Sequence, residues 1–213
     1  MSAATPAAGA TPRRVLVFGG ATALGAQAVT RFAAGGWDVV SLDFYDSSSE
    51  DVFESVDFMV SSSLHSSVVT ARLATAFLRP GGMLTFTGSV AALSPQPKLL
   101  AFAVGHAAVH QLVRSLAAAV GVDLPDGVTV VGVVPEVLDT AMHRQLNRGR
   151  ADDNWTSCNV VAEKLFAWAE GGGGTRPPNG ALVSVTSTMV AEGQQEHAFR
   201  LINTPSYVQT AEY

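Results

Sequence analysis

Arg14 to Gly25 reads RVLVFGGATALG, and the fold follows from how these twelve residues divide. Arg14 to Phe18 is a short, almost wholly apolar run, the pattern of a strand buried on both faces. Gly19-Gly20 closes it. Residues 23–34 then place Leu24, Ala28, Val29 and Phe32 on one side of a helix, which Gly35-Gly36 ends. Where a strand turns through glycines straight into a helix, the backbone can approach a pyrophosphate closely. The helix start offers N–H groups and a partial positive charge. Gly19, Gly20, Ala23, Leu24 and Gly25 are therefore candidate cofactor-binding residues. By itself the turn is also compatible with a tight connection that binds nothing.

Asp43 favours the dinucleotide reading. Trp37 to Leu42 (WDVVSL) forms a second strand, and Asp43 stands at its end, 18 residues beyond Gly25. An acidic side chain there accepts hydrogen bonds from the adenosine ribose and repels a 2′-phosphate, so NADH is expected over NADPH. The alternative is a solvated strand-end carboxylate.

Further along, Val56 to Val60 (VDFMV), Met83 to Thr87 (MLTFT), Val128 to Val134 and Ala181 to Thr186 read as strands. Residues 64–78, 99–120, 136–148 and 159–169 read as helices, and Gly171 to Gly174 as a surface loop. The last ~25 residues are polar and show no clear element. The alternation predicts an α/β fold: a Rossmann-like doubly wound parallel sheet of about six strands, with helices on both faces. Residues 13–213 form one domain in this reading, behind an Ala/Thr/Pro-rich tail at 1–12.

Bulk composition narrows the function classes. With 47% hydrophobic and 15% charged residues, the chain can bury a core. A net charge of −5 without a basic cluster makes nucleic acid and anionic membranes poor partners. No apolar run approaches the ~20 residues of a membrane span. The single cysteine, Cys158, points to a reducing compartment, and the expected location is cytoplasmic. No His, Cys, Asp or Glu grouping has metal-ligand spacing, so no metal site is expected.

RRVLVFGGATALG, WDVVSLD, LRPGGMLTFTGSVAAL, AVHQLVRSLA, VPEVLDTAMHR and NWT at 154–156 resemble, in that order, the dihydropteridine reductase family within the short-chain dehydrogenases/reductases. The resemblance runs from Arg13 to about Leu182. It implies an oxidoreductase that uses NADH to return quinonoid dihydropterin to tetrahydropterin. It also implies a homodimer packed through helices 64–78 and 99–120. It places the pyrophosphate against Gly19 to Gly25, the ribose on Asp43, and the nicotinamide near Pro135, Val137 and Leu138. The middle glycine of the superfamily turn is Ala23 here.

Two departures qualify that expectation. Only twelve residues separate Asp43 from Val56, where the family has a helix–strand–helix region. An edge strand and at least one helix are then missing, and the adenine pocket is more open; Tyr45 is either an adenine-stacking residue or a loop tyrosine. The second departure is chemical. The family's Tyr-x-x-x-Lys falls on Phe102-Ala-Val-Gly-His106. Tyrosine normally gives a proton as hydride arrives, and lysine lowers its pKa and holds the nicotinamide ribose. Phenylalanine has no proton to give. Imidazole is shorter than lysine and largely neutral near pH 7, though still able to bond a ribose hydroxyl.

Ser89, 13 residues before Phe102, sits at the spacing of the superfamily's third catalytic residue, or else simply terminates a strand in a Gly-Ser turn. His110 reads as structural, His65 as a helix-start residue or a pocket residue, and His143 and Cys158 as isolated. Two functional readings result. One is a weak pterin reductase drawing its proton from water, Ser89 or His106. The other is an inactive NADH-binding pseudoenzyme, a sensor or dimer partner. An unrelated chemistry on the same fold is a third and weaker reading.

Overall fold

The computed structural model describes residues 13–43, 60–171, 176–191 and 194–202. The expected tail at 1–12 and Tyr45 lie outside these residues. The chain opens with strand β1 (Arg14–Phe18), helix α1 (Ala23–Ala34) and strand β2 (Asp38–Leu42). β1 and β2 pair in parallel, from Arg14 opposite Asp38 to Phe18 opposite Leu42, as a two-stranded ladder; Leu16, Val40 and Leu42 are exposed, so β1 is not the strand buried on both faces that its apolar run suggests. Thr22 starts α1: its Oγ1 accepts the Gly25 N–H at 3.1 Å and its hydroxyl donates to the Gly19 carbonyl at 2.7 Å.

A four-stranded sheet carries the rest of the core. Its order is β3 (Met83–Thr87), β4 (Thr129–Pro135), β7 (Leu182–Ala191) and β8 (Gln194–Leu201). β3, β4 and β7 are parallel, and β8 returns antiparallel to β7. Helices α2 (Ser66–Phe77), α3 (Leu100–Ala118) and α5 (Cys158–Glu170) complete the layers. A small ladder pairs β5 (Leu138–Asp139) with β6 (Thr156–Ser157), and the short helix α4 (Ala141–Leu146) lies between them in sequence.

Both faces of the sheet are covered, as an uninterrupted valine run requires. Val130 and Val134 of β4 pack with Ala71, Ala74, Val109 and Val113 of α2 and α3. Val131 and Val133, pointing the other way, pack with Val161 and Trp168 of α5. α1 joins that second face. Gly35 meets Phe166 so closely that a Cβ would lie 2.3 Å from the ring, and Arg31 pairs with Glu163 at 2.5 Å.

Several local expectations need correction. Residues 56–59 of the proposed strand lie outside the described residues, and Val60 is helical, followed by a π-helical turn (Ser61–His65) that runs into α2. Serines 62 and 63 accept side-chain hydroxyl hydrogen bonds from Ser66 and Ser67, which suits a widened turn. The helix expected at 136–148 is only α4. Leu138 and Asp139 instead pair with Thr156 and Ser157, and the Thr140 hydroxyl caps α4 at the His143 N–H. The C-terminal region holds a hairpin that the sequence reading missed. β7 runs past Thr186 to Ala191 and is matched by β8. Among the described residues no helix is long and apolar enough to cross a membrane.

Candidate functional site

The candidate residues sit where the parallel strands end, the edge at which open α/β sheets bind ligands. β1 runs into Gly19, β2 into Asp43, β3 into Ser89, and β4 into Pro135 to Leu138.

At the first of these ends the geometry is tightly set. Gly19 has φ +85°, in the left-handed region that glycine tolerates, and its N–H donates to Leu42 O at 2.7 Å. A Cβ on Gly20 would lie 1.9 Å from Ser41 Oγ, and one on Gly25 would lie 2.0 Å from the Gly19 carbonyl oxygen. The second contact is with backbone, which has no room to yield. Asp43 closes the turn from the other side: its Oδ2 accepts the Ala21 N–H at 2.8 Å. A carboxylate from β2 thus grips the glycine turn of β1. Ala23 and Leu24 form the first helical turn, whose N–H groups lack intrahelical acceptors, and Leu24 packs into the α5-side core. This cradle, with glycine at three positions and opening on a helix start, fits a dinucleotide pyrophosphate.

The second end is built differently. Phe102 and His106 lie one turn apart on α3, with ring centroids 4.3 Å apart. Burial pushes the His106 pKa down, opposed by a backbone hydrogen bond with Thr87. Its Nδ1 is buried without a hydrogen-bond partner, a feature that in a native site calls for a ligand or water. A neutral imidazole tilted at 58° against a phenyl ring provides no fixed cation and no ready acid. The residues here do not reproduce the tyrosine–lysine pair.

Ser89 is buried and already committed. Its Oγ accepts the Ala91 N–H at 3.2 Å and caps a 3-10 turn over Val90–Leu93. That favours the turn reading over the catalytic one. Its own N–H donates to His110 Nε2 at 3.3 Å. His110 is 3% exposed, and its pKa is lowered to about 4, first by burial and then by His106 and Arg114. Gly88 makes this contact possible, because a Cβ there would stand 2.2 Å from His110 Nε2. His110 thus braces the turn that follows β3.

The third wall is the Pro135–Leu138 segment. Glu136 N donates to Val185 O at 3.0 Å, and Val137 O accepts the Thr156 N–H at 2.9 Å. Leu138 pairs with Thr156 and packs in the same core face as Leu24. Of the remaining histidines, His65 is exposed at the end of the π-helical turn, and His143 Nδ1 bonds Leu138 O at 2.8 Å. Cys158 is buried, which raises its thiol pKa. Among the described residues no three His, Cys, Asp or Glu side chains are grouped to hold a metal ion.

With this geometry in hand, three comparisons place the chain. Residues 48–167, more than half of its length, match the family model described as enoyl-(acyl carrier protein) reductase, a model of the short-chain dehydrogenase/reductase type. The chain is 29% identical over 217 residues to a dihydropteridine reductase of Dictyostelium discoideum, covering 80% of this chain and 93% of that protein. Among solved structures, a short-chain dehydrogenase of Burkholderia cenocepacia in complex with NADP superposes with TM-score 0.62 at 22% identity, covering 81% of this chain and 95% of that one. A short-chain dehydrogenase/reductase of Serratia marcescens gives TM-score 0.61 at 18% identity with the same coverage. The Rossmann-like α/β fold and these matches agree: the chain belongs to the short-chain dehydrogenase/reductase family, and within it is similar to dihydropteridine reductase.

Proposed function

We propose that this protein binds NADH and transfers hydride slowly to a quinonoid dihydropterin, giving the tetrahydropterin. The observation that carries the cofactor half is the 2.8 Å bond between Asp43 and the glycine turn. It fixes a carboxylate beside the pyrophosphate cradle, where it accepts ribose hydroxyls and opposes a 2′-phosphate. The Burkholderia neighbour was solved with NADP, so the preference for NADH rests on Asp43 and not on fold likeness. Gly19, Gly20, Ala23, Leu24 and Gly25 would hold the pyrophosphate, and Pro135, Val137 and Leu138 would border the nicotinamide. When bound, the nicotinamide supplies the hydride. The pterin specificity rests on the likeness to dihydropteridine reductase.

The chain's own residues then do less than usual. Phe102 gives an apolar wall in place of an acid. His106, neutral at pH 7 because burial disfavours its charged form, offers its unpartnered Nδ1 to a ribose hydroxyl. The proton reaches the product from water, since Phe102 has none to give and Ser89 is buried. A second reading, an inactive NADH-binding pseudoenzyme acting as sensor or dimer partner, is favoured by the Phe102–His106 ring pair, which supplies no proton donor. In either reading the expected assembly is a homodimer through α2 and α3, supported by exposed Phe77, Leu100 and Val104 on those helices and testable by light scattering.

Fluorescence titration with NADH and NADPH tests the first half. The wild type should prefer NADH, and Asp43→Ala should weaken NADH binding about tenfold while narrowing the preference. Equal affinity for both cofactors in the wild type would contradict the role given to Asp43. NADH oxidation above the spontaneous rate with quinonoid dihydropterin selects the reductase; a silent wild type that still binds NADH selects the pseudoenzyme.

A further inference from the structure

The C-terminal hairpin of β7 and β8 is wired to the segment expected to border the nicotinamide. Ser187 of β7 is hydrogen-bonded to His197 Nδ1 of β8 at 2.8 Å and to the Thr156 hydroxyl of β6 at 2.7 Å. Thr156 in turn donates its backbone N–H to Val137 O at 2.9 Å. Thr156 is fully buried and Ser187 is 4% exposed, so water does not compete for these bonds. The same hairpin grips the residues just before Thr156. Gln195 Nε2 donates to Asp153 O at 2.6 Å, and the Met189 N–H donates to Asn154 Oδ1 at 3.4 Å.

The pattern is more than cross-strand pairing. Ser187 lies opposite His197 in the β7–β8 register, and its hydroxyl reaches sideways to a different ladder. The β5–β6 ladder it reaches has only two residue pairs, too short to hold its own position. Bonds from outside fix it: Glu136 N–H on Val185 O, His143 Nδ1 on Leu138 O, and the three-bond series from His197, which alone among these ties it to β8.

We propose that His197, Ser187 and Thr156 form a relay of positioning residues by which the C-terminal hairpin sets the Val137–Leu138 segment, and so the affinity for the nicotinamide end of the cofactor. The functional part rests on the NADH-binding reading above; the mechanical part does not. Breaking any link should loosen the segment without disturbing the glycine turn, because neither the hairpin nor β6 bonds with residues 19–25 in the contacts described.

Amide exchange followed by NMR on the full chain tests the mechanical part. The Thr156 N–H reports the relay, and the Gly180 N–H, bonded to Val130 O at 2.8 Å, reports the sheet elsewhere. Ser187→Ala and His197→Phe should each speed exchange at Thr156 about tenfold, leave Gly180 unchanged, and weaken NADH binding severalfold. The double variant should do no more than either single one, since the links act in series. His197→Asn, whose amide occupies the Nδ1 position, should restore slow exchange and also serves if His197→Phe does not fold. Unchanged Thr156 exchange, or equal acceleration at Gly180, overturns the relay. Faster Thr156 exchange with unaltered NADH affinity overturns its effect on the cofactor. A wild type that binds no NADH overturns the functional reading, and the exchange rates then decide the relay alone.

Discussion

The two ends of the candidate site differ in kind. Around Gly19 to Asp43 the contacts converge on the main chain: a positive φ, a Gly25 position where a Cβ would meet a carbonyl oxygen, and a carboxylate on an N–H. Around Phe102 and His106 the backbone of α3 is an ordinary helix, and only side-chain identity has changed. Binding that depends on backbone shape survives many substitutions, whereas proton transfer depends on single atoms and is lost with one of them. A protein of this fold can therefore keep its cofactor cradle while its chemistry fades.

The strongest way to sharpen that contrast is to put the missing atoms back. Phe102→Tyr/His106→Lys should raise NADH oxidation with quinonoid dihydropterin ~10²–10⁴-fold. Phe102→Tyr alone should recover only part of this, because neutral His106 cannot lower the tyrosine pKa as a cation does. Equal rates for the single and double variants, measured in steady state, would break the contrast. At the other end, Gly25→Ala drives a Cβ against the Gly19 carbonyl. It should cost about 1–3 kcal/mol of stability and abolish NADH binding, as read by denaturant unfolding and titration.

The smallest expected effect is a pH slope. His110 titrates at about 4 in the fold against 6.5 unfolded. The folded state holds fewer protons, so its stabilisation is complete above pH 6.5 and is lost as pH falls through about 4. The lowered pKa of His106 acts in the same direction. His110→Gln keeps an acceptor for the Ser89 N–H and removes the titration; its unfolding midpoint should vary less over that window. An unchanged slope would show that His110 is not the group responsible.

Much of this was legible in the sequence for a definite reason. Glycines at a strand end and an acid after the second strand are local signals, and the structure brings Gly19–Gly25 and Asp43 together as their spacing indicates. Phe102 and His106 were equally legible, since a helix brings residues four apart into contact. The hairpin was not. Its pairs run from Ala191 opposite Gln194 out to Val183 opposite Leu201, and the Ser/Thr content of LVSVTSTMVA masks its alternation. The β-branched residues Val183, Val185, Thr186, Thr188 and Val190 were the available signal. Leu138–Asp139 was read as helix because its partner, Thr156–Ser157, lies 18 residues away and no local pattern announces a two-pair ladder.

Single-turnover reduction of quinonoid dihydropterin, with the rate followed against NADH concentration for the wild type beside Phe102→Tyr/His106→Lys, tests the central claim most directly. Half-saturating NADH should be similar for the two proteins, and their limiting rates should differ ~10²-fold or more. Similar limiting rates, or saturation by NADH only in the double variant, would contradict it.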